Sequence, residues 1–373
     1  MNFAFSDEQE ELRRVTRKWL SERSPSSVVR KLMETEQGYD PSMWAEMAQM
    51  GWQGMAIAEE YGGTGFGHLE LAVLFEEMGR ALLPAPFFST VALGAAALIE
   101  AGSDKQKHDV LVRIAAGEAI VTLAFTEPNG RWDVSGVETI AEPINSGWVL
   151  DGTKSFVLDG HVADLIVVAA RASEGVSLFL VDPTADGVSR KRLDTMDATR
   201  KQAEVTLTGV KVPEDGLLGG LGDGWRVVER VLEKAVVALA TEQIGGAQKC
   251  LEMSVDYAKT RHQFGRPIGS FQAIKHKCAD MLVQVESAKS AAYYGAWAAS
   301  EDNEELPVIA PLAKSYCSEA FFFCASENIQ IHGGIGFTWE HDAHLYFKRA
   351  KSAELLFGDP AYHRSRLADR LGL

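Results

Sequence analysis

The segment AIVTLAFTEP, Ala119–Pro128, marks the point at which the pattern of apolar residues in this chain changes. Before it, apolar residues recur every three to four positions. From it onward they alternate, or form short β-branched runs bounded by Gly, Asp and Pro. Four further runs follow with no helical pattern between them: GWVLDGTKSFVLDG, DLIVVAAR, VSLFLVD and QAEVTLTGVKV. Strands spaced so closely predict an antiparallel sheet or small barrel over residues 119–221.

Helical spacing covers the residues that precede this sheet. The run SDEQEELRRVTRKWLSE opens with Ser6 as an N-cap and Gln9 as its capping-box partner. The run LELAVLFEEMGRALLP predicts a second helix, which we expect to close near Gly79 and Pro84. These patterns predict an N-terminal α-helical domain over residues 1–118.

Helical spacing returns after the sheet and continues to the end of the chain. A C-terminal α-helical bundle is therefore predicted over residues 222–373. The predicted fold class is α+β, mainly α, with an N-terminal helical domain, a middle antiparallel β-domain and this bundle. The predicted helices of the bundle are 226–260, 270–301, 305–331 and 341–357.

Composition excludes several classes of function. The chain has 37 basic and 52 acidic residues and a net charge of −15, which argues against a general nucleic-acid or anionic-membrane surface. A local basic groove for a phosphorylated ligand remains possible. The start of the chain has no apolar core of signal-peptide type, and no window reaches 18 uninterrupted apolar residues, so no membrane span is predicted. The four cysteines all lie in the last third without C-x-x-C spacing, which predicts reduced, helix-borne thiols, no metal site and a cytoplasmic protein.

Six motifs follow one another along nearly the whole chain: FSDEQEELR, EEYGGTGFG, LAFTEP, DGTKSFVLDG, RHQFGRPIGSFQAIKHKCADM and QIHGGIGFTWEHDAHLYFKRAK. In this order and at this spacing, the chain resembles the acyl-CoA dehydrogenase family of flavoproteins. The resemblance implies FAD as cofactor and an acyl-CoA thioester as substrate. It also implies a C-terminal four-helix bundle and a dimer of dimers in which neighbouring subunits share FAD.

The resemblance further implies which residues contact FAD. Phe125 and Thr126 correspond to positions beside the isoalloxazine, where a hydroxyl or backbone amide bonds the pyrimidine edge. Phe156 takes the place of an aromatic residue that packs on the flavin, and Leu158 stands where much of the family has a Thr bonding N5. The residues implied to reach FAD bound by a neighbouring subunit are Arg261, Gln263, Phe264, Ile268, Phe271, Gln272, Gln330, Gly333 and Gly334.

The residue types at these positions suit such a ligand. Arg261 supplies a forked cation for a pyrophosphate, and Phe264 can pack on a flat ring. The pair Gly333-Gly334 allows backbone to approach a ligand closely. Each position also has an interpretation without a cofactor: a turn with a surface Arg, an edge strand with an inward Phe156, and a helix C-cap at Gly333.

One loop departs from the family pattern. After TEP the family usually has small residues, which make room for the FAD pyrophosphate and the thioester tail. This chain instead has the sequence NGRWD at residues 129–133. We therefore expect the pyrophosphate or CoA to be contacted differently here, or less tightly.

The reaction implied by the resemblance is α,β-dehydrogenation, in which a carboxylate takes the α-proton while the β-hydride goes to the flavin. Neither family position for this glutamate holds an acid: one corresponds to Phe357, which precedes Gly358, and the other to Ala235. Glu242 lies seven residues, almost two helical turns, after Ala235. We therefore predict Glu242 as the catalytic base.

Small residues share the predicted helix face with Glu242, namely Ala235, Ala238, Gly245 and Gly246. They leave room for a bulky acyl group or for a closely packed helix, and the acyl group is the interpretation we favour. It predicts a branched, ring-bearing or steroid side-chain CoA thioester as substrate. The alternatives are a structural Glu242 tied to an Arg or Lys, or a base at Asp359, Glu354 or Asp159.

Three functions are therefore carried forward from the sequence. The first is an active acyl-CoA dehydrogenase using Glu242 in a homo- or hetero-tetramer, with an electron-transfer flavoprotein as acceptor. The second is a non-catalytic or half-site subunit that lends Arg261 and Gln330 to the FAD of a partner in a mixed tetramer. The third is a flavin oxidase or monooxygenase that uses O2 on the same fold.

Overall fold

The computed structural model describes residues 5–373, which divide into two compact units. The helical unit comprises the described residues up to Arg30, together with His68–Leu83 and Val236–Leu373. The sheet unit comprises Lys31–Gly67 and Pro84–Ala235. Each unit therefore draws on residues that are far apart in the sequence.

The regular elements follow the predicted order of helices, strands and helices. The helices are α1 (Asp7–Arg23), α2 (Ser26–Met33), α3 (Pro41–Gln49), α4 (His68–Ala81), α5 (Ala96–Ala101), α6 (Asp104–Ala115), α7 (Gly224–Thr260), α8 (Gln272–Ser300), α9 (Leu306–His332), α10 (Ala343–Leu355) and α11 (Pro360–Leu371). The strands are β1 (Val121–Ala124), β2 (Ile140–Ile144), β3 (Gly147–Leu158), β4 (Leu165–Ala172), β5 (Gly175–Val181), β6 (Val188–Leu193), β7 (Gln202–Pro213), β8 (Leu217–Leu218), β9 (His262–Gln263) and β10 (Arg266–Pro267).

The large sheet is mainly antiparallel, as predicted, with strand order β6-β7-β3-β2-β4-β5-β8. One part of that prediction needs correction, because β1 pairs with β4 in parallel, Val121 lying opposite Leu165. The β2–β3 hairpin separates these two strands in the chain, so that they enter the sheet in the same direction. Residues 166–170 of β4 are completely buried, as expected of a strand covered on both faces.

Helix α1 begins as its sequence predicts. Ser6 is the N-cap, and its side chain and that of Gln9 form the reciprocal bonds of a capping box. Arg13 and Arg17 then bind two buried acids on α4, with Nη1 of Arg13 2.7 Å from Glu76 and Nη2 of Arg17 2.6 Å from Glu77. These ion pairs bind the N-terminal helix to the rest of the helical unit.

Helix α4 ends at Ala81, between Gly79 and Pro84 as the sequence predicts, and Gly79 lies within its last turn at the contact with α7. A Cβ at Gly79 would lie 2.0 Å from the carbonyl oxygen of Glu242, and a Cβ at Gly245 would lie 1.8 Å from that of Glu76. The two backbones therefore touch, which only glycine permits at these positions.

The four predicted C-terminal helices agree with the observed ones to within two residues at every end, and α11 is additional. Helix α9 packs against α8, α10 and α11. Helix α10 stops before Phe357, whose φ of +61° cannot continue a helix, and Asp359 caps α11. All four cysteines are free and lie in helices, as predicted. Among the described residues, none of the helices has the length and apolar character needed to cross a bilayer.

Candidate active site

Glu242 lies buried in α7 and is bound to an arginine. Its side chain accepts a 2.8 Å hydrogen bond at Oε1 from Nη1 of Arg349 on α10. Glu242 is 5% exposed and Arg349 only 2%. The guanidinium compensates a carboxylate that would be costly to bury alone. The contact matches the structural alternative for Glu242, and the catalytic role of this residue stays a prediction.

The small residues beside Glu242 serve helix packing, so the interpretation that they make room for an acyl group is wrong for Gly245 and Gly246. Gly245 lies against the backbone of α4, as described above. A Cβ at Gly246 would lie 2.4 Å from the ring of Phe321 on α9. This face of α7 is therefore occupied by neighbouring helices.

The two positions at which the resemblance implies the base hold apolar, buried residues. Ala235 belongs to the sheet unit and is fully buried. Phe357 belongs to the helical unit, is 5% exposed and has a left-handed backbone. Neither residue can take a proton from a substrate.

The turn between α10 and α11, which contains Phe357, is held by two buried titratable residues. Sequence reasoning did not single out either of them. Nζ of Lys314 donates to the carbonyl oxygens of Glu354 and Gly358 at 3.0 and 3.1 Å, and Nε2 of His363 donates to that of Phe357 at 3.1 Å. Burial lowers the pKa of Lys314 to about 7 and that of His363 to about 3. A Lys inside the apolar run IAPLAKSY was the signal that could have indicated this contact.

The other candidate bases also have structural partners. Oδ1 of Asp359 accepts the backbone N–H of Tyr362 at 2.8 Å and so caps α11. Glu354 binds Nζ of Lys351 at 3.0 Å. In the sheet unit, buried Asp159 accepts a 2.6 Å hydrogen bond from the hydroxyl of Ser89.

The predicted flavin-contacting residues of the sheet unit lie along β3 and just after β1. The hydroxyl of Thr126 donates to the carbonyl oxygen of Ser155 at 2.8 Å, so it can only accept a further hydrogen bond. Phe125 and Leu158 are buried, at 4% and 2% exposure. The Leu158 side chain is thus part of the core. Only a backbone group at this position could meet a flavin.

Phe156 differs from its neighbours because its ring is 55% exposed. The β3–β7 register shifts between Lys154 and Val157, and Phe156 has a φ of +56°. A bulge of this kind reorients one side chain relative to the pleat of the sheet. The alternative of an inward-facing Phe at this strand is therefore wrong, and an exposed flat ring is available to a ligand.

A buried ion pair holds this region together. Nζ of Lys154 donates to Oε1 of Glu127, and the Glu127 carboxylate also accepts the backbone N–H groups of Glu138 and Thr139. Burial lowers the pKa of Lys154 to about 8. For Glu127, burial opposes and Lys154 favours ionisation, with a net lowering of the pKa. Sequence reasoning missed this pair, although a Lys within the strand run GTKSFVL was a visible signal.

The loop 129–133, which departs from the family pattern, is folded on itself. The Asn129 amide donates to the carbonyl oxygen of Gly136 at 2.8 Å, and Asp133 accepts the N–H of Ser135 at 2.7 Å. Arg131 donates to the Ser135 hydroxyl, and the Trp132 ring lies 6.0 Å from that of Phe125. The loop therefore has its own hydrogen bonds and places Trp132 beside a predicted flavin contact.

In the helical unit, the motif RHQFGRPIGSFQ forms a small exposed hairpin after α7. Strands β9 and β10 pair Gln263 with Arg266 across a turn at Phe264 and Gly265, both with positive φ. Phe264 is 92% exposed, and Arg261, Gln263 and Gln272 are also exposed, whereas Ile268 and Phe271 are half-buried. The rings of Phe264 and Phe271 meet edge to face at 6.0 Å. The hairpin therefore carries polar and aromatic groups that protrude from the chain.

Gln330, Gly333 and Gly334 lie at the end of α9 and are all exposed. Gly333 is the C-cap, with φ +63° and ψ −141°, a conformation that favours glycine. The predicted helix C-cap is thus confirmed, and the ligand interpretation is compatible with it. Apart from the adjoining backbone, no heavy atom within the described residues comes within 4 Å of a Cβ built at either glycine, so a ligand could approach this backbone.

Comparison with known proteins identifies the family. The chain matches the family models for the acyl-CoA dehydrogenase N-terminal domain over residues 6–118, middle domain over 122–210 and C-terminal domain over 222–372. The chain belongs to the acyl-CoA dehydrogenase family. It is 35% identical to acyl-CoA dehydrogenase IpdE2 of Mycolicibacterium smegmatis, over 97% of this chain and 98% of that one.

Solved structures share the fold of this chain. The ChsE4–ChsE5 complex of Mycobacterium tuberculosis matches with a TM-score of 0.92 and 28% identity, over 100% of this chain and 99% of that chain. The Tcur3481–Tcur3483 steroid ACAD matches with a TM-score of 0.88 and 30% identity, over 98% of both chains. Membership of this family makes the protein an oxidoreductase that acts on CH–CH groups in the FAD-dependent dehydrogenation of acyl-CoA.

The residues present fit FAD as the family cofactor. The exposed Phe156 ring offers a flat apolar surface, and the exposed Arg261 offers a forked cation for a pyrophosphate. The open backbone at Gly333 and Gly334 admits close approach. Each of these groups lies at the surface of its own unit, where a cofactor can reach it.

Proposed function

We propose that this chain is the half-site subunit of a mixed acyl-CoA dehydrogenase assembly, in which a related chain supplies the catalytic base. The buried Glu242–Arg349 ion pair carries this proposal. Glu242, the acid that sequence reasoning favoured as the base, is held in this pair. Phe357 and Ala235 stand at the two positions where the resemblance places the catalytic glutamate. The chain would then contribute cofactor-binding groups rather than the proton abstractor.

The chemistry of proton abstraction supports this assignment. A general base must come within hydrogen-bond reach of the proton that it removes. Oε1 of Glu242 is committed to Arg349, and the residue is 5% exposed. If Glu242 turned to a substrate, the buried guanidinium would lose its compensating charge, which is unfavourable by several kcal/mol.

When bound, FAD supplies the acceptor for the hydride. The residues of this chain bind and orient the reacting groups. Phe156 would pack beside a flavin bound to this chain, whereas Arg261 and Gln263 on the hairpin would bind the adenosine diphosphate half of FAD held by a neighbouring subunit. Gln330 and the backbone at Gly333 reach the same cofactor in a neighbouring subunit.

The names of two structural relatives support a mixed assembly and a bulky substrate. ChsE4–ChsE5 is a complex of two differently named chains, and Tcur3481–Tcur3483 is described as a steroid ACAD. We propose a CoA thioester of a ring-bearing or branched acyl group, such as a steroid side chain. An electron-transfer flavoprotein is the proposed electron acceptor, and a dimer of dimers the proposed assembly.

The test is anaerobic titration of the chain, alone and co-expressed with a related acyl-CoA dehydrogenase chain. Linear, branched, aromatic and steroidal acyl-CoAs are added while flavin absorbance is followed. We expect the chain alone to be colourless or under-flavinated, and the mixed assembly to be yellow and to bleach with the ring-bearing thioesters. Full flavin occupancy and turnover by the pure chain would overturn the half-site proposal.

Glu242→Gln in the mixed assembly separates a structural from a catalytic role. For a structural role, flavin is reduced at the parent rate once the amount of folded, flavin-loaded protein is normalised. Loss of bleaching with intact flavin content would instead assign Glu242 as the base. Asp359→Asn is the control, and rapid O2 consumption with peroxide release would point to the oxidase alternative.

A further inference from the structure

We infer that Arg30 positions the turn between α9 and α10, and thereby the backbone that meets FAD. This turn, residues 333–342, begins at the predicted cofactor contacts Gly333 and Gly334. The inference rests on the proposed FAD-binding role of these glycines. It assigns Arg30 as a positioning residue that acts on the cofactor through the turn.

The turn has little regular structure of its own. It starts with the unusual backbone of Gly333, makes one short helical turn over Gly333–Phe337, and ends at Asp342 before α10. Phe337 is 77% exposed and Trp339 is 63% exposed. These apolar side chains face outward, so packing in the core does not hold this part of the chain.

The end of the turn is held by the guanidinium of Arg30 on α2. Its Nη1 donates to the carbonyl oxygen of Trp339, and its Nη2 donates to that of His341 at 3.0 Å. Nη2 and Nε also donate to Oδ1 of Asp342, at 2.8 and 3.1 Å. One rigid, planar group thus fixes the backbone at two residues and the side chain of a third.

Asp342 is committed to this contact. It stands at the N-cap position of α10, where an Asp side chain usually accepts a backbone N–H, but it makes no such cap. Nδ1 of His341 instead accepts the N–H of Ala343 at 3.1 Å. The Arg30–Asp342 pair is partly buried, with side chains 24% and 31% exposed, so it is less screened than a surface pair.

The start of the turn is held independently. His332 stacks on Tyr257 of α7 with ring centroids 4.3 Å apart, and its Nδ1 donates to the carbonyl oxygen of Asn328 at 2.8 Å. The ring of His341 lies 4.3 Å from that of His332. The backbone that precedes Gly333 is therefore fixed by the end of α9. Arg30 fixes the backbone at the other end of the turn. Trp339 also contacts the ring of His344 and Nζ of Lys348, so loss of Arg30 loosens this end of the turn without releasing it.

Arg30→Gln in the flavin-binding assembly tests this role, and Arg80→Gln is the matched control. Arg80 makes a comparable two-pronged pair with Glu252, with side chains 20% and 34% exposed, elsewhere in the helical unit. We expect Arg30→Gln to raise the Kd for FAD about tenfold or more and to speed amide exchange in residues 334–341 of the apoprotein. Both variants should lower the melting temperature by similar amounts. Arg80→Gln should, however, leave the Kd for FAD and the amide exchange of residues 334–341 at parent values.

Two results would overturn the inference: parent FAD affinity in Arg30→Gln, or equal loss of FAD affinity in Arg80→Gln. Should Arg30→Gln fail to fold, Asp342→Asn carries the same test, because it keeps both carbonyl contacts and should give an intermediate Kd. A mixed assembly of the parent chain with the related chain that holds no flavin would instead refute the proposed function. A mixed assembly that is equally yellow with the parent chain and with the Arg30→Gln variant would refute only the role of Arg30.

Discussion

At the scale of single residues, the Glu242–Arg349 pair makes a prediction about stability. Arg349→Met leaves a buried carboxylate without its partner, and we expect the free energy of unfolding to fall by about 3–5 kcal/mol. The double variant Glu242→Leu, Arg349→Met should recover much of this loss, because no charge is then left buried. Denaturant unfolding measures both.

The exposed Arg364–Glu319 pair, with side chains about half exposed, provides the control for that experiment. Glu319→Gln should change the free energy of unfolding by less than about 1 kcal/mol. An Arg349→Met variant as stable as the parent would show that the buried pair contributes nothing to stability.

His363 predicts a dependence of stability on pH. Burial, together with nearby Lys314 and Arg366, lowers the pKa of His363 to about 3 against the opposing effects of the Phe357 carbonyl and Asp359. An unfolded His takes up its proton near pH 6.5, so the unfolded state binds more protons between about pH 6.5 and 3. The stabilising contribution is complete above pH 6.5 and is lost as the pH falls.

The measurement compares the parent with His363→Gln by denaturant unfolding at pH 7.5 and 5.5. The parent should lose about 1.4 kcal/mol more than the variant between these two values. Equal losses in both proteins would show that His363 does not stay neutral in the folded state.

At the scale of elements, the crossing of α4 and α7 depends on direct backbone contact. Gly245→Ala would place a methyl group 1.8 Å from the carbonyl oxygen of Glu76, so the helices would have to separate. We expect a loss of about 3 kcal/mol in the free energy of unfolding. Thermal and denaturant unfolding check it.

Gly295→Ala on α8 is the matched control. Its new methyl group would meet the Val237 side chain at 3.1 Å, and a side chain can shift where a backbone cannot. The better helix propensity of Ala, about 1 kcal/mol over Gly, should offset the contact and leave stability near the parent value. Similar losses in both variants would contradict the role given to the backbone contact.

At the scale of the whole molecule, FAD binding should depend on residues that one chain offers to another. Arg261→Ala in this chain should reduce the flavin content of the mixed assembly, because the partner's cofactor loses a pyrophosphate ligand. The stability of the isolated chain should not change, since Arg261 is exposed. Flavin absorbance per mole of protein and thermal unfolding provide the two readouts.

Lys259→Ala removes a nearby exposed cation from α7 and should keep the parent flavin content. If Arg261→Ala also keeps it, the hairpin does not bind the cofactor and the shared-site proposal fails.

Local sequence determined much of the architecture. The Ser6–Gln9 capping box, the long helices α7 to α9 and the apolar strands β4, β5 and β7 all carry their signal within a few residues, because caps and periodicity act over one or two turns or along one strand. Strand β6, with sequence VSRKRL, was missed because an edge strand needs no apolar run. The family motifs are also local in sequence, and they indicated FAD as the cofactor.

Tertiary structure alone decided what the buried charges do. Glu242 and Arg349 are 107 residues apart in sequence, and Lys154 meets Glu127 across 27 residues. Small residues on one helix face are equally consistent with a substrate and with a second helix, and only the position of α4 separates the two. The sequence by itself thus determined most of the elements and the family to which the chain belongs. The partners of Glu242, Gly245 and Arg30 depend on how distant segments pack, since no local pattern specifies which side chain a buried charge meets.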